Sequence, residues 1–267
     1  MIAAVHLFPT TMDTYGDRGN VAALTRRASL RGIDIDWHSV ELGETPPTDC
    51  DLVFIGGGQD RVQQAVAKDL QRLRGWLEDV ADGHGVVFAV CAGLQLLGHR
   101  YVAADGSELT GIGLLDLETV AAAPGEWRLI GNVVAEVDTP AGTRHLAGFE
   151  NHGGRTWLGD VAPLGQVRLG NGNNGRDGGE GVRCGTVLAT YLHGPVLPKN
   201  AWLTDHLLAL AVAHNGEPAT LVPLEQGRED AAQAEAIAAA ERDARASSGL
   251  RAKLRAGYRR DRTREDR

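Results

Sequence analysis

"VVFAVCAGLQLLG", residues 86–98, changes character at its cysteine. Up to Cys91 the residues are β-branched or apolar, as in a buried strand. Beyond it Leu94, Leu96 and Leu97 follow small residues at Ala92 and Gly93, as in a helix. A strand that turns straight into a helix pushes the residue at the turn out of the sheet, on strained backbone with room only for small neighbours. Ala89 and Gly93, two before and two after the cysteine, meet that demand. A thiol at the amino end of a helix also favours the thiolate, because the helix dipole stabilises negative charge there. Cys91 therefore reads as a nucleophile.

Outward from this stretch, the first half alternates strand and helix. "AAVHLFP" is short and apolar, "NVAALTRRASLRG" has helical spacing ended by Gly32, and "IDIDWHSV" alternates. "DLVFIGGG" runs into glycines before an amphipathic stretch from Gln59 to Val80. That order implies crossovers and a parallel sheet covered by helices on both faces. From about Gly111 to Leu192, "GLLDLETV", "RLIGNVVAEV", "GQVRLG" and "GTVLATYL" are separated by Gly-, Asn- and Pro-rich turns, so parts of this half are expected to pair antiparallel before the main sheet is rejoined. "LPKNAWLTDHLLALAVAHNG" reads as a final amphipathic helix closed by Asn215-Gly216. The expected fold is α/β: an open, mostly parallel sheet flanked by helices, with some antiparallel strands and a helical C-terminal appendage. The expected division is a domain over residues 1–216 and an Ala-rich helix with a basic tail over 217–267.

The 267 residues are 43% hydrophobic and 23% charged, as in a soluble globular protein. No apolar run approaches the roughly 20 residues that span a bilayer. "MIAAVHLFP" is too short, and lacks the basic start, for a signal peptide, so a cytoplasmic protein is expected. Cys50, Cys91 and Cys184 are unpaired in number and lack CxxC spacing, which argues against a disulfide framework and a zinc site. A net charge of −8 gives no reason to expect nucleic acid as a partner. The stretch from Gly249 to Arg267 carries eight Lys/Arg against three Asp/Glu, most simply a solvated tail.

Acyl chemistry at a thiolate needs oxyanion donors and a proton shuttle. Gly56, Gly57 and Gly58 follow a strand, so the backbone N–H groups of Gly57 and Gly58, with that of Ala92, are the expected donors. Among nine histidines His193 stands out, at the end of the apolar run "VLATYLHGP" and before a Gly-Pro; His152 in "FENHGG" is its rival. Gly170 to Gly175 matches GxGxxG, but more Gly and Asp follow where a dinucleotide site needs a helix, so it reads as a surface loop.

Taken in order, "TYGDRGN" (14–20), "FIGGGQD" (54–60), "CAGLQLLG" (91–98), "RLIGN" (128–132), "GFENHGGRT" (148–156), "GNGNN" (170–174) and "YLHGP" (191–195) resemble the CobB/CobQ-like class I glutamine amidotransferases. Within that family the resemblance is to glutaminase subunits that serve a MurT-like synthetase of the Mur-ligase type. It implies the class I glutamine amidotransferase fold, Cys91 as nucleophile, His193 as general acid/base and Arg128 as a glutamine-positioning residue. A guanidinium suits that last task because it pairs in bidentate fashion with an α-carboxylate. The resemblance further implies that L-glutamine is hydrolysed through a Cys thioester. Ammonia then passes to the synthetase, which amidates the α-carboxyl of D-glutamate in lipid II, near the inner membrane face. ATP and Mg belong to the partner: this chain has no GxxxxGK[ST] and is expected to carry no cofactor or metal. A corrinoid-directed amidotransferase and a redox sensor using Cys91 are the competing readings. Two positions depart from the family pattern. Ala89 replaces a glycine, and Pro195 stands where a glutamate would orient the histidine. Glu150 or Asp205 can replace that acid from within the chain, and the resemblance implies an Asp from the synthetase.

Overall fold

The apolar runs that lack alternation become strands buried on both faces. The computed structural model describes every residue except Thr14, Tyr15, Gln59, Asp266 and Arg267, and gives backbone alone at 60–61 and 247–265. The first two residues of "TYGDRGN", Gln59 of "FIGGGQD" and the side chains of the basic tail thus lie outside the described residues. The first half runs β1 (Ile2–Leu7), α1 (Arg18–Ser29), β2 (Ile35–Val40), β3 (Leu52–Ile55), α2 (Asp60–Asp82), β4 (Val86–Val90) and α3 (Ala92–Leu97). Next come β5 (Arg100–Val102), β6 (Glu108–Thr110), β7 (Leu117–Ala121), β8 (Leu129–Thr139), β9 (Gly142–His152) and β10 (Gly154–Leu158). β11 (Gly165–Leu169), β12 (Gly179–Glu180), β13 (Val182–Cys184) and β14 (Val187–Thr190) follow, then α4 (Ala201–His214) and α5 (Gly227–Glu265).

The main sheet has the order β13-β14-β4-β3-β1-β2. All its pairings are parallel except β13 with β14. Every residue of β3, β4 and β14 is buried, which is why these segments read as continuous apolar runs. β2, at the edge, alternates half-buried and exposed positions from Ile35 to His38, as "IDIDWHSV" does, and buries only Val40. The second half forms two four-stranded sheets, β10-β7-β5-β6 and β12-β11-β8-β9. The longest pairing is the antiparallel β8–β9 hairpin, in register from Leu129↔His152 to Thr139↔Gly142. The chain then returns to the main sheet through β14, as the sequence implies.

The last helix of the body differs from expectation. A 3-10 turn at Leu197–Lys199 precedes it, so α4 starts only at Ala201. It is apolar nearly all round: Leu203, Leu207, Leu208 and Ala211 are buried, and Trp202, Leu210 and Val212 pack half-buried. Its neighbours explain this, because α1 and β4 pack on it and Trp202 Nε1 donates to His145 O of β9 at 2.7 Å. Helix α5 lies across β8, β9 and β11, where Asn132 Nδ2 donates to Asp243 Oδ2 at 2.8 Å.

Asn200 joins the two halves. Its Nδ2 donates to Ala147 O (2.8 Å) and Val196 O (2.7 Å), and its Oδ1 accepts from Ala147 N at 2.9 Å, all without exposure to water. Asn200→Ala strands both backbone groups of Ala147, and each unsatisfied buried group costs about 1–3 kcal/mol. Chemical denaturation should show a loss of about 2–4 kcal/mol; an unchanged midpoint would mean that water replaces these bonds.

Candidate active site

Parallel register delivers four segments to one rim. Leu7 of β1 aligns with Ile55 of β3, Ile55 with Ala89 of β4, and Val90 with Thr190 of β14. The loop leading to α1, the glycines 56–58, Cys91 and the segment to His193 therefore all leave the carboxyl ends of neighbouring strands, where open α/β sheets hold their ligands.

Cys91 sits at φ 52°, ψ −104°, between β4 and α3. Among the described residues only Phe8, His84 and Cys91 have positive φ without being glycine, so this is real backbone strain. Tight pairing holds it: Cys91 N donates to Thr190 O at 2.8 Å, and Gln95 N donates to Cys91 O at 3.1 Å. A Cβ at position 93 would lie 3.0 Å from Ile55 O and 3.1 Å from Gly56 O, so the elbow needs that glycine. Ala89 lies within β4 and has no positive φ, which explains why a methyl is tolerated there.

His193 is fixed by its backbone. Its N–H donates to Phe149 O at 2.8 Å and its carbonyl accepts from Phe149 N at 3.3 Å, bridging it to β9. Gly57 lies between the imidazole and the thiol. A Cβ on Gly57 would fall 2.8 Å from His193 Cε1, 3.1 Å from Asp17 Oδ2 and 3.5 Å from Cys91 Cβ. Nucleophile, imidazole and a carboxylate thus converge on one residue that has no side chain.

The carboxylate belongs to Asp17, which is fully buried. One oxygen, Oδ2, accepts the Gly57 N–H at 2.6 Å, and the other, Oδ1, lies 3.6 Å from His193 Nδ1. Burial by itself lowers the His193 pKa, but hydrogen bonding and charge from Asp17 and Cys91 outweigh it and raise the value to about 10. The ring therefore carries a proton at neutral pH and can act as an acid toward a leaving amine.

Two sequence expectations change here. Gly57 is no oxyanion donor in this arrangement, because its N–H is spent on Asp17; Gly58 follows it in the same loop, and Ala92 is the first residue of α3. Neither internal acid named from sequence faces His193. Glu150 accepts from Asn171 N (2.9 Å) and Gly172 N (2.9 Å), and Asp205 pairs with Arg27 at 2.7 Å and Arg31 at 2.9 Å. Asp17 was hidden because an acid just before a helix ordinarily reads as an N-cap. It occupies the N-cap of α1 but makes no side-chain capping bond, since its carboxylate turns to Gly57 and His193.

The remaining candidates are placed as follows. The rival His152 is buried, stacks on Tyr191 at 3.7 Å and is tied through Nδ1 to Gly154 O at 2.8 Å, as a packing residue. Residues 170–175 are a loop after β11 anchored on Glu150, and no helix opens from it. Arg128 lines a neighbouring cleft of about 740 Å³ with Gln63, Tyr101, Glu126 and Gly153. Its guanidinium donates to Asn151 Oδ1 (3.1 Å) and Asn151 O (3.0 Å). Neither Cys91 nor His193 lines this cleft; from its wall Gln63 Nε2 donates to Gln95 Oε1 at 3.2 Å, one turn beyond Cys91, and Gln95 Nε2 donates to Tyr191 Oη at 3.2 Å. Burial pushes the Cys50 thiol up to about 12, which makes it inert, and Cys184 is an exposed free thiol at the end of β13.

A thiol on a strained elbow, a buried imidazolium and a glycine-walled rim define an amidotransferase-type glutaminase site. Residues 3–201 match the CobB/CobQ-like glutamine amidotransferase domain. The fold is shared with the PurLQS structure from Thermotoga maritima (TM-score 0.52, 17% identity, 80% of this chain and 96% of that one). A second crystal structure of a glutamine amidotransferase also shares it (TM-score 0.50, 19% identity, 78% and 98%). In sequence the chain is 42% identical to the lipid II isoglutaminyl synthase (glutamine-hydrolyzing) subunit GatD of Staphylococcus aureus strain N315, over 80% of this chain and 85% of the relative. It is 39% identical to the same subunit of Streptococcus pneumoniae strain R6, over 78% and 79%. The chain belongs to the CobB/CobQ-like glutamine amidotransferase family, on its GatD branch, and is a glutamine amidotransferase.

The crowding at Gly57 makes a direct prediction. Gly57→Ala puts a methyl against His193 and Asp17, and displacements of about 1 Å at a reacting centre cost on the order of 10²-fold. Glutamine hydrolysis should fall by that amount while circular dichroism stays unchanged. Full activity would show that the three groups do not act in the packed arrangement described here.

Proposed function

We infer that the chain is the glutaminase subunit of a lipid II isoglutaminyl synthase. The observation that carries the reaction is the convergence of Cys91 and His193 on Gly57. The acceptor is supported by the relatives: the chain covers 85% and 79% of the two GatD subunits, but only 33% of a cobyric acid synthase from Methanothermobacter thermautotrophicus that is 31% identical.

The sulfur of Cys91 attacks the γ-carboxamide carbon of L-glutamine, forming a C–S bond and an oxyanion that faces the N–H groups of Ala92 and Gly58. His193 gives its proton to the amide nitrogen, the C–N bond breaks, and ammonia leaves a γ-glutamyl thioester. Water, deprotonated by His193, then attacks the thioester; the C–S bond breaks, and glutamate and the starting site are released. Arg128, at the cleft, pairs with the α-carboxylate of glutamine, replacing its bonds to Asn151. Ammonia passes to a MurT-like synthetase, which holds ATP and Mg and amidates the α-carboxyl of D-glutamate in lipid II. No helix among the described residues is long and apolar enough to cross a membrane. We place the chain in the cytoplasm, near the inner membrane face where lipid II is met.

With the synthetase present, Cys91→Ala should abolish glutamine-dependent amidation while ammonium still supports it. Loss of both would place the defect outside the glutaminase, and retention of glutamine use would refute Cys91 as nucleophile. Arg128→Ala removes a hydrogen bond to a charged group, about 1.5–3 kcal/mol, and should raise the KM for glutamine roughly 10–150-fold. Initial-rate kinetics with an unchanged KM would exclude Arg128 from the substrate site.

A further inference from the structure

We propose that Gln63, on α2, receives the α-ammonium group of the substrate and so makes the site selective for glutamine as a free amino acid. The inference rests on the glutaminase reading, in which Arg128 takes the α-carboxylate, and adds a residue that reading lacks. Gln63 lines the cleft of Arg128 and is only 2% exposed. Its Nε2 donates to Gln95 Oε1 at 3.2 Å, while among the described residues no hydrogen bond reaches its own buried Oε1. The polarity of that bond is set from behind: Gln95 Nε2 is engaged with Tyr191 Oη at 3.2 Å, which leaves Gln95 Oε1 to accept. Gln63 therefore gives an amide N–H to α3 and keeps a carbonyl oxygen that has no donor. A buried acceptor left unmade is costly, and a donor entering from the cleft removes that cost.

Gln63, Gln95 and Arg128 belong to one continuous wall. A Cβ on Gly153 would lie 3.2 Å from Arg128 Nη1, and a Cβ on Gly154 would lie 2.7 Å from Gln95 Nε2. Two consecutive glycines thus form the step from the guanidinium to the helix that Cys91 opens, and no side chain blocks it. Asp105, Glu108 and Glu126 line the cleft against the single guanidinium of Arg128, a balance that favours a cation. Each of these carboxylates is already engaged. Glu126 accepts from Arg176 at 2.6 Å, Glu108 faces Arg100 at 3.6 Å, and Asp105 accepts from Ser107 N at 2.9 Å. With the carboxylate of the substrate on Arg128, the bare carbonyl of Gln63 is the acceptor for the ammonium group on the same carbon.

The test compares L-glutamine with 4-carbamoylbutanoate, which keeps the carboxamide and the carboxylate and lacks only the α-amine. In the full-length chain with its synthetase, Gln63→Met should lower kcat/KM for glutamine about 10–100-fold, the loss expected for a hydrogen bond to a charged group. For 4-carbamoylbutanoate it should stay within about threefold, so the preference for glutamine collapses. A Gln63 that only supports the fold would lower both values in parallel, and that result, or an unchanged preference, overturns the proposal. Calorimetry on the Cys91→Ala chain gives a second readout that needs neither turnover nor a substitution at position 63. Glutamine should bind about 10–100-fold more tightly than 4-carbamoylbutanoate; equal affinities overturn the proposal. If the unsubstituted complex hydrolysed neither compound while that difference in affinity held, the glutaminase reading alone would fall.

Discussion

Space for a Cβ is missing at Gly57, and the site depends on that. His193, Asp17 and Cys91 come from three different segments of the chain, and a Cβ on Gly57 would lie 2.8, 3.1 and 3.5 Å from them, the first two closer than ordinary contact. Any side chain at this position would hold the imidazole away from the thiol. The approach itself is a product of register. β1, β3, β4 and β14 are neighbours in one sheet, and their ends align to within a residue or two. A slip of a single residue in one pairing would invert the faces of that strand and move its functional residue off the rim. Burial on both faces of β3, β4 and β14 opposes such a slip, so the hydrophobic core sets the catalytic geometry.

Strain and buried charge are concentrated at the same place. The positive φ of Cys91 is held by Thr190 O and by the close fit of Gly93 against Ile55 and Gly56. Asp17 and His193 are removed from water, and each offsets the desolvation of the other. Asp17 and Cys91 together raise the His193 pKa to about 10, which favours the protonated ring that the proposed amide cleavage uses as its acid. The second half of the chain supports this rim from one side: β9 pins His193 through Phe149, and Asn200 ties β9 to the segment leading into α4.

The elbow at Cys91 and the rim position of His193 could be read from sequence because their signals are local: a strand meeting a helix through small residues, and an apolar run stopped by Gly-Pro. The parallel core was legible for the same reason, through β3, β4 and β14. Asp17 was not, since its partners lie 40 and 176 positions away and an acid before a helix already has an ordinary explanation. The use of the Gly57 N–H was hidden with it, because a glycine run shows where donors are and not what they bind. Glu150 and Asp205 look equally available in sequence, and only the fold shows them occupied by the 170–175 loop and by Arg27. The even apolar surface of α4 likewise depends on α1, β4 and β9 meeting around it.

The central claim is that the thiol on the strained elbow takes the acyl group of glutamine. Mixing the full-length chain and its synthetase with glutamine, quenching in acid and mapping the peptides by mass spectrometry tests that claim most directly. The account predicts one γ-glutamyl group on Cys91 and none on Cys50 or Cys184. An adduct on Cys50 or Cys184 in place of Cys91 would contradict it.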